Sequence, residues 1–272
     1  MLTNNQSLVL TVHDKEFLIN DVLQGIKDKT VGTYELIVVL DGCNDKTPEL
    51  VHKFKGANPE MKIKIAETPD VFETKANNAG LRLVESDLAI IIQDDMVMTE
   101  AGWNDRLTKP FRTFDDVFGV TAQCAHNWEL NPNSKHIHTD VNNNYEWSDI
   151  LNHIEHANKA TIDRDTFAVR QCVNRGPLAL NYSDMVSLDF FDESFAPQDM
   201  DDHDLCFRMQ EKIGKVVGCY WIDYKCDPNW GGTRVDGKPA SWVLEANQRN
   251  SRVVLVRHKD RILNKIIDNR NC

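Results

Sequence analysis

Apolar and polar positions along the first ~95 residues alternate between two periods, and that alternation predicts strand followed by helix, repeated. Leu8 to Val12 reads as a strand, and Phe17, Leu18, Val22, Leu23 and Ile26 then fall at helical spacing. Leu36 to Leu40 is a second apolar run. Thr47 followed by Pro48 reads as a helix start, a capping hydroxyl before a proline at the first helical position. Leu50, Val51 and Phe54 give that helix its inner face. Met61 to Ala66 alternates as a third strand, Thr74 to Val84 is a third helix, and Leu88 to Ile92 a fourth strand. A βαβαβαβ order implies a parallel sheet with right-handed crossovers.

The pattern weakens afterwards. Val117 to Ala125, Phe167 to Val173, Leu178 to Leu180 and Lys215 to Ile222 read as further strands. Asn127 to Arg164 is rich in Asn, Asp and His without a steady period, and is expected to be an irregular insertion or lid. Asp201 to Ile213 is an amphipathic helix with Leu205, Met209 and Ile213 inward and Gly214 as its stop. The tail is expected to hold a helix near Ser241 to Asn250, a strand at Val253 to Val256 and a polar-faced terminal helix. The expected organisation is one domain over 1–272.

Composition narrows the functional class. Hydrophobic content of 41% and charged content of 27% over 272 residues are ordinary for a globular chain. A net charge of −11 argues against a nucleic-acid binder, which needs a basic face. A nucleotide substrate stays open, because a metal ion reverses the local sign. No apolar segment follows a basic one at the N-terminus, so no signal peptide is expected, and no apolar run approaches the ~20 residues of a membrane span. Seven cysteines without a close Cys-x-x-Cys pair read as free thiols of a cytoplasmic protein. Oligomeric state is not legible.

Three acidic clusters carry the candidate chemistry. Leu88 to Ile92 ends in Gln93 and then Asp94 and Asp95. Ligands of open α/β sheets bind beyond the carboxyl ends of strands. Adjacent carboxylates there repel unless a cation sits nearby, and a hard divalent metal on a diphosphate would supply one. The bland alternative is a solvated strand end. YELIVVLDGCND (Tyr34 to Asp45) likewise ends in acid; Asp41 could accept hydrogen bonds from a base or ribose, or the loop could be plain turn chemistry. Asp199, Asp201, Asp202 and Asp204 crowd a helix start. Capping and the helix dipole account for one or two of them. The remainder point to a base for an incoming hydroxyl.

Weaker candidates flank these. Arg175-Gly176-Pro177 could line a donor sugar, and Asn229 to Arg234 reads as a glycine-hinged loop whose Trp230 could stack on one. His136, His138, His153 and His156 read as solvated, with no zinc set around them. His258 is a minor candidate for the diphosphate.

With these motifs in order, the chain resembles family 2 glycosyltransferases of the GT-A fold over roughly residues 7 to 225. LVLTVHDKEFLINDVLQGI resembles the opening strand and helix, and VVLDGCNDKT the Asp-Gly-Ser-x-Asp turn. KANNAGLRLVESDLAIIIQDDM resembles the Ala-x-Asn-x-Gly helix and metal-binding Asp motif, and FDESFAPQDMDDHDLCFRMQEKIGKV the acidic stretch with the catalytic base and Asp-Leu-x-x-Arg. The resemblance implies an α/β GT-A fold, a Rossmann-like, mostly parallel sheet flanked by helices, with a nucleotide-binding half (1–100), an acceptor-binding and catalytic half (101–235) and a C-terminal tail (236–272). It implies Asp95 as ligand of Mn2+ or Mg2+, and Asp41, Asp94, Asn78, Arg175, Trp230 and Arg208 on the nucleotide-sugar. Asp202 matches the base, and Asp201 occupies the family's usual Glu position; the two share that assignment, as Asp94 and Asp95 share the metal.

The expected activity is inverting, metal-dependent transfer from a nucleoside-diphosphate sugar, a UDP-sugar foremost, to a hydroxyl of a glycan, lipid-linked glycan or protein. A lipid acceptor would require peripheral membrane contact. Two rivals are a sugar nucleotidyltransferase, whose Gly-rich loop is replaced by His13-Asp14-Lys15-Glu16, and a non-catalytic glycan-binding protein of the same fold.

Overall fold

The computed structural model describes residues 5–134, 137–139, 145–155, 162–227, 229–232, 234–235 and 238–272. His136, His156 and Thr233 lie outside these residues. The first half follows the periodicity. Strands β1 (Gln6–Val12), β2 (Tyr34–Asp41), β3 (Lys62–Thr68) and β4 (Leu88–Gln93) alternate with helices α1 (Ile19–Lys29), α2 (Thr47–Ala57) and α3 (Phe72–Leu81). β1 pairs in parallel with both β2 and β4, and β2 with β3. In β1, Leu8, Leu10 and Val12 pack into the core on one sheet face and Val9 into the core on the other. Burial on both faces is why these strands read as unbroken apolar runs.

The full sheet has nine strands, in the order Asp268–Asn271, Thr166–Arg170, Val216–Cys219, Val117–Thr121, Leu178–Asn181, β4, β1, β2, β3. Only Thr166–Arg170 and Leu178–Asn181 run against the rest, each pairing antiparallel with both its neighbours. The sheet is thus mostly parallel.

α1 buries Ile19, Val22, Leu23 and Ile26, a stripe at helical spacing. α3 lies close on the sheet: a Cβ on Gly80 would sit 2.5 Å from Val9 Cγ1. The start of α2 differs from the expected hydroxyl cap. The Asp45 carboxylate accepts the Thr47 amide at 2.8 Å, while the Thr47 hydroxyl accepts the Lys15 amide at 2.7 Å. That bond ties α2 to the loop after β1.

Several expectations fail. Val117 to Ala125 and Phe167 to Val173, each read as one strand, break in two: Val117–Thr121 and Cys124–Leu130, and Thr166–Arg170 and Cys172–Asn174. The stretch Asn127 to Arg164 is not irregular throughout. Cys172–Asn174, Cys124–Leu130, Tyr145–Glu155 and Ile137–Thr139 form a second, four-stranded sheet. Val253 to Val256 is helical, inside Ser241–Ile262, where Val254 and Leu255 are buried and Val256 is exposed. The terminal helix is replaced by strand Asp268–Asn271 on the sheet edge, and the helical part of the tail is Ser241–Ile262. Among the described residues no helix is long and apolar enough to cross a membrane.

Candidate active site

The carboxyl ends of β1, β2 and β4 open into a cavity of about 230 Å³. Asp41, Asp94, Asp95, Lys15 and Glu73 line it, with Gly231 and Gly232 on its far side. Asp94 is held from two directions: Lys15 Nζ stands 3.2 Å from its Oδ1, and the His13 amide donates to its Oδ2 at 3.0 Å. Burial pushes the Asp94 carboxyl up to about 6, against the opposing pull of Lys15. Lys15 is only 2% exposed, and its ammonium also donates to the Trp230 carbonyl at 2.8 Å. One cation therefore fixes both an acid at the strand end and the loop over it. That loop passes against Asp95: a Cβ on Gly231 would lie 3.4 Å from Asp95 Oδ2.

Asp41 is turned to a structural task. Its carboxylate accepts from Thr68 Oγ1 at 2.7 Å and from the amides of Val71 and Phe72 at 2.8 Å each. It thereby closes the β3–α3 turn. Gly42, at φ +57°, approaches Asp70 so closely that a Cβ there would overlap it at 2.4 Å.

The second acidic cluster is organised around Arg175. Its guanidinium forms a fork on Asp201, at 2.7 and 2.5 Å, and its Nε reaches Glu73 at 3.2 Å. Gln93 donates to the same Glu73 oxygen at 2.8 Å, linking the cluster to the end of β4. Asp202 differs from its neighbour. It accepts from two backbone amides, Arg175 N at 3.1 Å and His203 N at 2.9 Å. The nearest ring nitrogen, His203 Nε2, is 3.9 Å away. Burial raises Asp202 to about 7, against the pull of Arg175, and lowers His203 to about 4, leaving that ring neutral. The Trp128 indole donates to His203 Nδ1 at 3.3 Å, so the imidazole proton sits on Nε2, which lies 3.5 Å from Asn174 Oδ1.

The segment before Asp201 is strained. Asp199 and Met200 both lie in the left-handed region, at φ +81° and +66°. The C-terminal helix holds it. Asn250 Nδ2 donates to the carbonyls of Phe195, Gln198 and Asp199 between 2.8 and 2.9 Å, and Asn247 Nδ2 reaches Asp199 Oδ2 at 3.0 Å. Strained backbone persists only where its surroundings over-determine it. Gln198 lines the first cavity, whereas Met200 and His203 line a second of about 610 Å³ with Trp128, Glu129, Asp149 and Asn247. Asp202 lines neither cavity itself; it lies in the chain between Met200 and His203 of the second.

The remaining candidates are not brought together in the cavity. Asn78 is fully buried and binds the Phe191 backbone, donating to its carbonyl at 2.9 Å and accepting its amide at 3.1 Å. The cavity side of α3 is Asn77, which accepts from Thr11 Oγ1 at 2.8 Å. Arg208 anchors its own helix, bonding Asp204 at 2.6 Å and the carbonyls of Leu188 and Phe190. His258 stands between Asp204 and Glu211, each at 3.0 Å, as a tie to the C-terminal helix rather than a ligand of a diphosphate. Trp230 contributes its carbonyl to Lys15 while its ring packs on the core. Sequence reasoning did not single out Lys15 and Glu73. The HDKE turn was a signal for the former, and nothing in the sequence marks the latter.

The family model for glycosyl transferase family 2 matches residues 7–175, more than half of the chain. No curated protein matches it. Solved structures do. TarS of S. aureus, in complex with UDP, is 14% identical with a TM-score of 0.53, over 81% of this chain and 59% of that one. The mannosyltransferase PcManGT of Pyrobaculum calidifontis, in complex with GDP-Man and Mn2+, is 14% identical with a TM-score of 0.55, over 83% and 59%. Glucosyl-3-phosphoglycerate synthase of Mycobacterium tuberculosis, with Mn2+, UDP and phosphoglyceric acid, is 15% identical with a TM-score of 0.57, over 93% and 78%. The chain thus spans about three-fifths of the first two (59% each). At such identities the likeness is one of fold.

Proposed function

The chain belongs to glycosyl transferase family 2 and is a glycosyltransferase of the GT-A fold, and on that premise we propose that it transfers a sugar from a nucleoside-diphosphate donor to a hydroxyl with inversion, Asp202 acting as the base. Family membership weighs against both rivals, the sugar nucleotidyltransferase and the non-catalytic binding protein. The observation that carries the reading is Asp202 itself. It is a buried carboxylate with a pKa of about 7, without a guanidinium or ammonium ion pair among the described residues, flanked in the chain by Met200 and His203 of the second cavity. A base works best when its pKa lies near the operating pH.

The cavity at the ends of β1, β2 and β4 is assigned to the donor, and the second cavity to the acceptor. Trp128, Glu129, Asp149 and Asn247 give the latter an aromatic face and polar edges suited to a glycan hydroxyl. The acceptor oxygen attacks the anomeric carbon as its proton passes to Asp202. The bond to the diphosphate breaks with its electron pair on the departing oxygen. Two adjacent carboxylates are hard oxygen donors of the kind Mn2+ and Mg2+ take, so Asp95, with Asp94 beside it, would hold such an ion. When bound, it would offset the charge of the leaving diphosphate. Neighbours crystallised with Mn2+ and UDP or GDP-Man support that donor class, with a UDP-sugar as first candidate. Lys15, paired to Asp94, keeps the strand-end acids and the Gly231–Gly232 loop in one geometry.

The test is a thermal-shift screen of UDP-, GDP- and other nucleotide sugars with and without Mn2+, followed by NMR of the product anomer. A metal-dependent rise with one nucleotide and an inverted product support the reading. A retained anomeric configuration would overturn it.

A further inference from the structure

A candidate ligand set of different chemistry lies in the antiparallel sheet. Cys124 and His126 come from strand Cys124–Leu130, and His153 from strand Tyr145–Glu155. Cys124 stands opposite Glu155, and the pairing register slips between Ala125 and Asn127. A bulge of this kind re-aims a side chain. Here the His126 ring stacks against that of His153, centroids 5.7 Å apart. The Cys124 sulfur and one nitrogen from each imidazole all lie within 4.8 Å of one another.

The independent sign is His126. It is 1% exposed, and neither ring nitrogen has a hydrogen-bond partner. Buried polar atoms of native proteins are almost always satisfied, so an imidazole orphaned at both nitrogens requires an explanation. Its other neighbours offer none: the His203 ring meets it edge-on at 4.7 Å, and Asn174 Oδ1 takes the Cys124 thiol at 3.1 Å.

We propose that Cys124, His126 and His153 bind a zinc ion, with Glu155 orienting His153 from 3.6 Å. A thiolate with two imidazoles is a zinc donor set. Tetrahedral zinc spaces its ligand atoms by roughly 3.3–3.8 Å, so closure takes about 1 Å of side-chain movement. The ion would bond one nitrogen of the orphaned ring. It would also pin the two strands together beside Asn174, whose neighbour Arg175 holds Asp201 and Asp202. Such a site is distinct in chemistry from the oxygen donors Asp94 and Asp95.

Cobalt(II) is the probe. Chelator-stripped full chain is titrated with Co2+ in a large excess of Mg2+, and Zn2+ is then added. One equivalent is expected to bind, with tetrahedral d–d bands and a thiolate-to-cobalt charge-transfer band, both removed by Zn2+. The near-isosteric Cys124→Ser should abolish the charge-transfer band. His153→Ala alters a half-exposed residue and should weaken Co2+ binding at least tenfold with the circular dichroism unchanged. Asp95→Ala should leave the band intact. Absence of a thiolate band in the wild type, its survival in Cys124→Ser, or unchanged affinity in His153→Ala would overturn the proposal.

Discussion

Replacing Asp202 with Asn should stabilise the protein while disabling it, and the stabilisation should depend on pH. Asp202 titrates at about 7 in the folded chain against 3.8 ordinarily, chiefly because burial disfavours its charge. The folded state therefore holds this proton more tightly than the unfolded state does. Its contribution is fully present below the unfolded value and is lost as pH rises through about 7. A difference of ~3 units at 1.36 kcal/mol each sets a ceiling of ~4 kcal/mol above pH 7, and of about 2 kcal/mol at pH 5. Asn escapes that cost but cannot accept both backbone amides that Asp202 accepts, those of Arg175 and His203. One lost hydrogen bond costs roughly 1–1.5 kcal/mol. The variant should thus match the wild type near pH 5 and exceed it by about 2–3 kcal/mol at pH 8. Urea denaturation followed by tryptophan fluorescence at both values measures this. Turnover should fall ~10²–10⁴-fold with donor affinity retained, and wild-type kcat/KM should rise through a group near 7. A variant less stable than wild type at pH 8, or a difference equal at the two pH values, would refute the argument from burial.

Asp95→Ala should remove the Mn2+-dependent part of donor affinity, at least tenfold by calorimetry; unchanged affinity would sink its role as ligand. Arg175→Met leaves Asp201, fully buried, without its guanidinium and should cost about 3–5 kcal/mol in denaturant unfolding. A loss under 1 kcal/mol would mean the pair is dispensable. Lys15→Met removes the cation that opposes burial at Asp94, so the carboxyl, now at about 6, should rise further. Donor binding should then set in at higher pH, and an unshifted binding profile would contradict the coupling.

Legibility followed burial. The first hundred residues were readable because β1, β2 and β4 are covered on both faces and appear as unbroken apolar runs bounded by turn residues. The second sheet was not. In strand Tyr145–Glu155, Ile150 is 52% exposed while Ile154 is buried, so apolar residues do not mark one face. Val253 to Val256 failed for a different reason. Four apolar residues fit a short strand or a helix turn equally well, and helix Ser241–Ile262 resolves the choice by continuing through them. In the site, the strand-end acids were legible as composition. Their partners were not. A lone Lys15 or Glu73 reads as a solvated charge, and only the tertiary fold places them at Asp94 and Arg175.

The choice between Asp201 and Asp202 shows why motif spacing alone leaves a base unassigned. Both occupy the first turn of one helix, and both are buried. What separates them is the company each keeps. Asp201 is forked by a guanidinium, which engages both of its oxygens. Asp202 faces backbone amides and a neutral imidazole, so burial rather than ion pairing sets its proton affinity. Arg175 contributes to both: its side chain satisfies Asp201, while its amide orients Asp202. A base needs an unsatisfied affinity for protons and a fixed direction. On that criterion Asp202 is the proposed base, with Asp201 as the partner that keeps Arg175 in place.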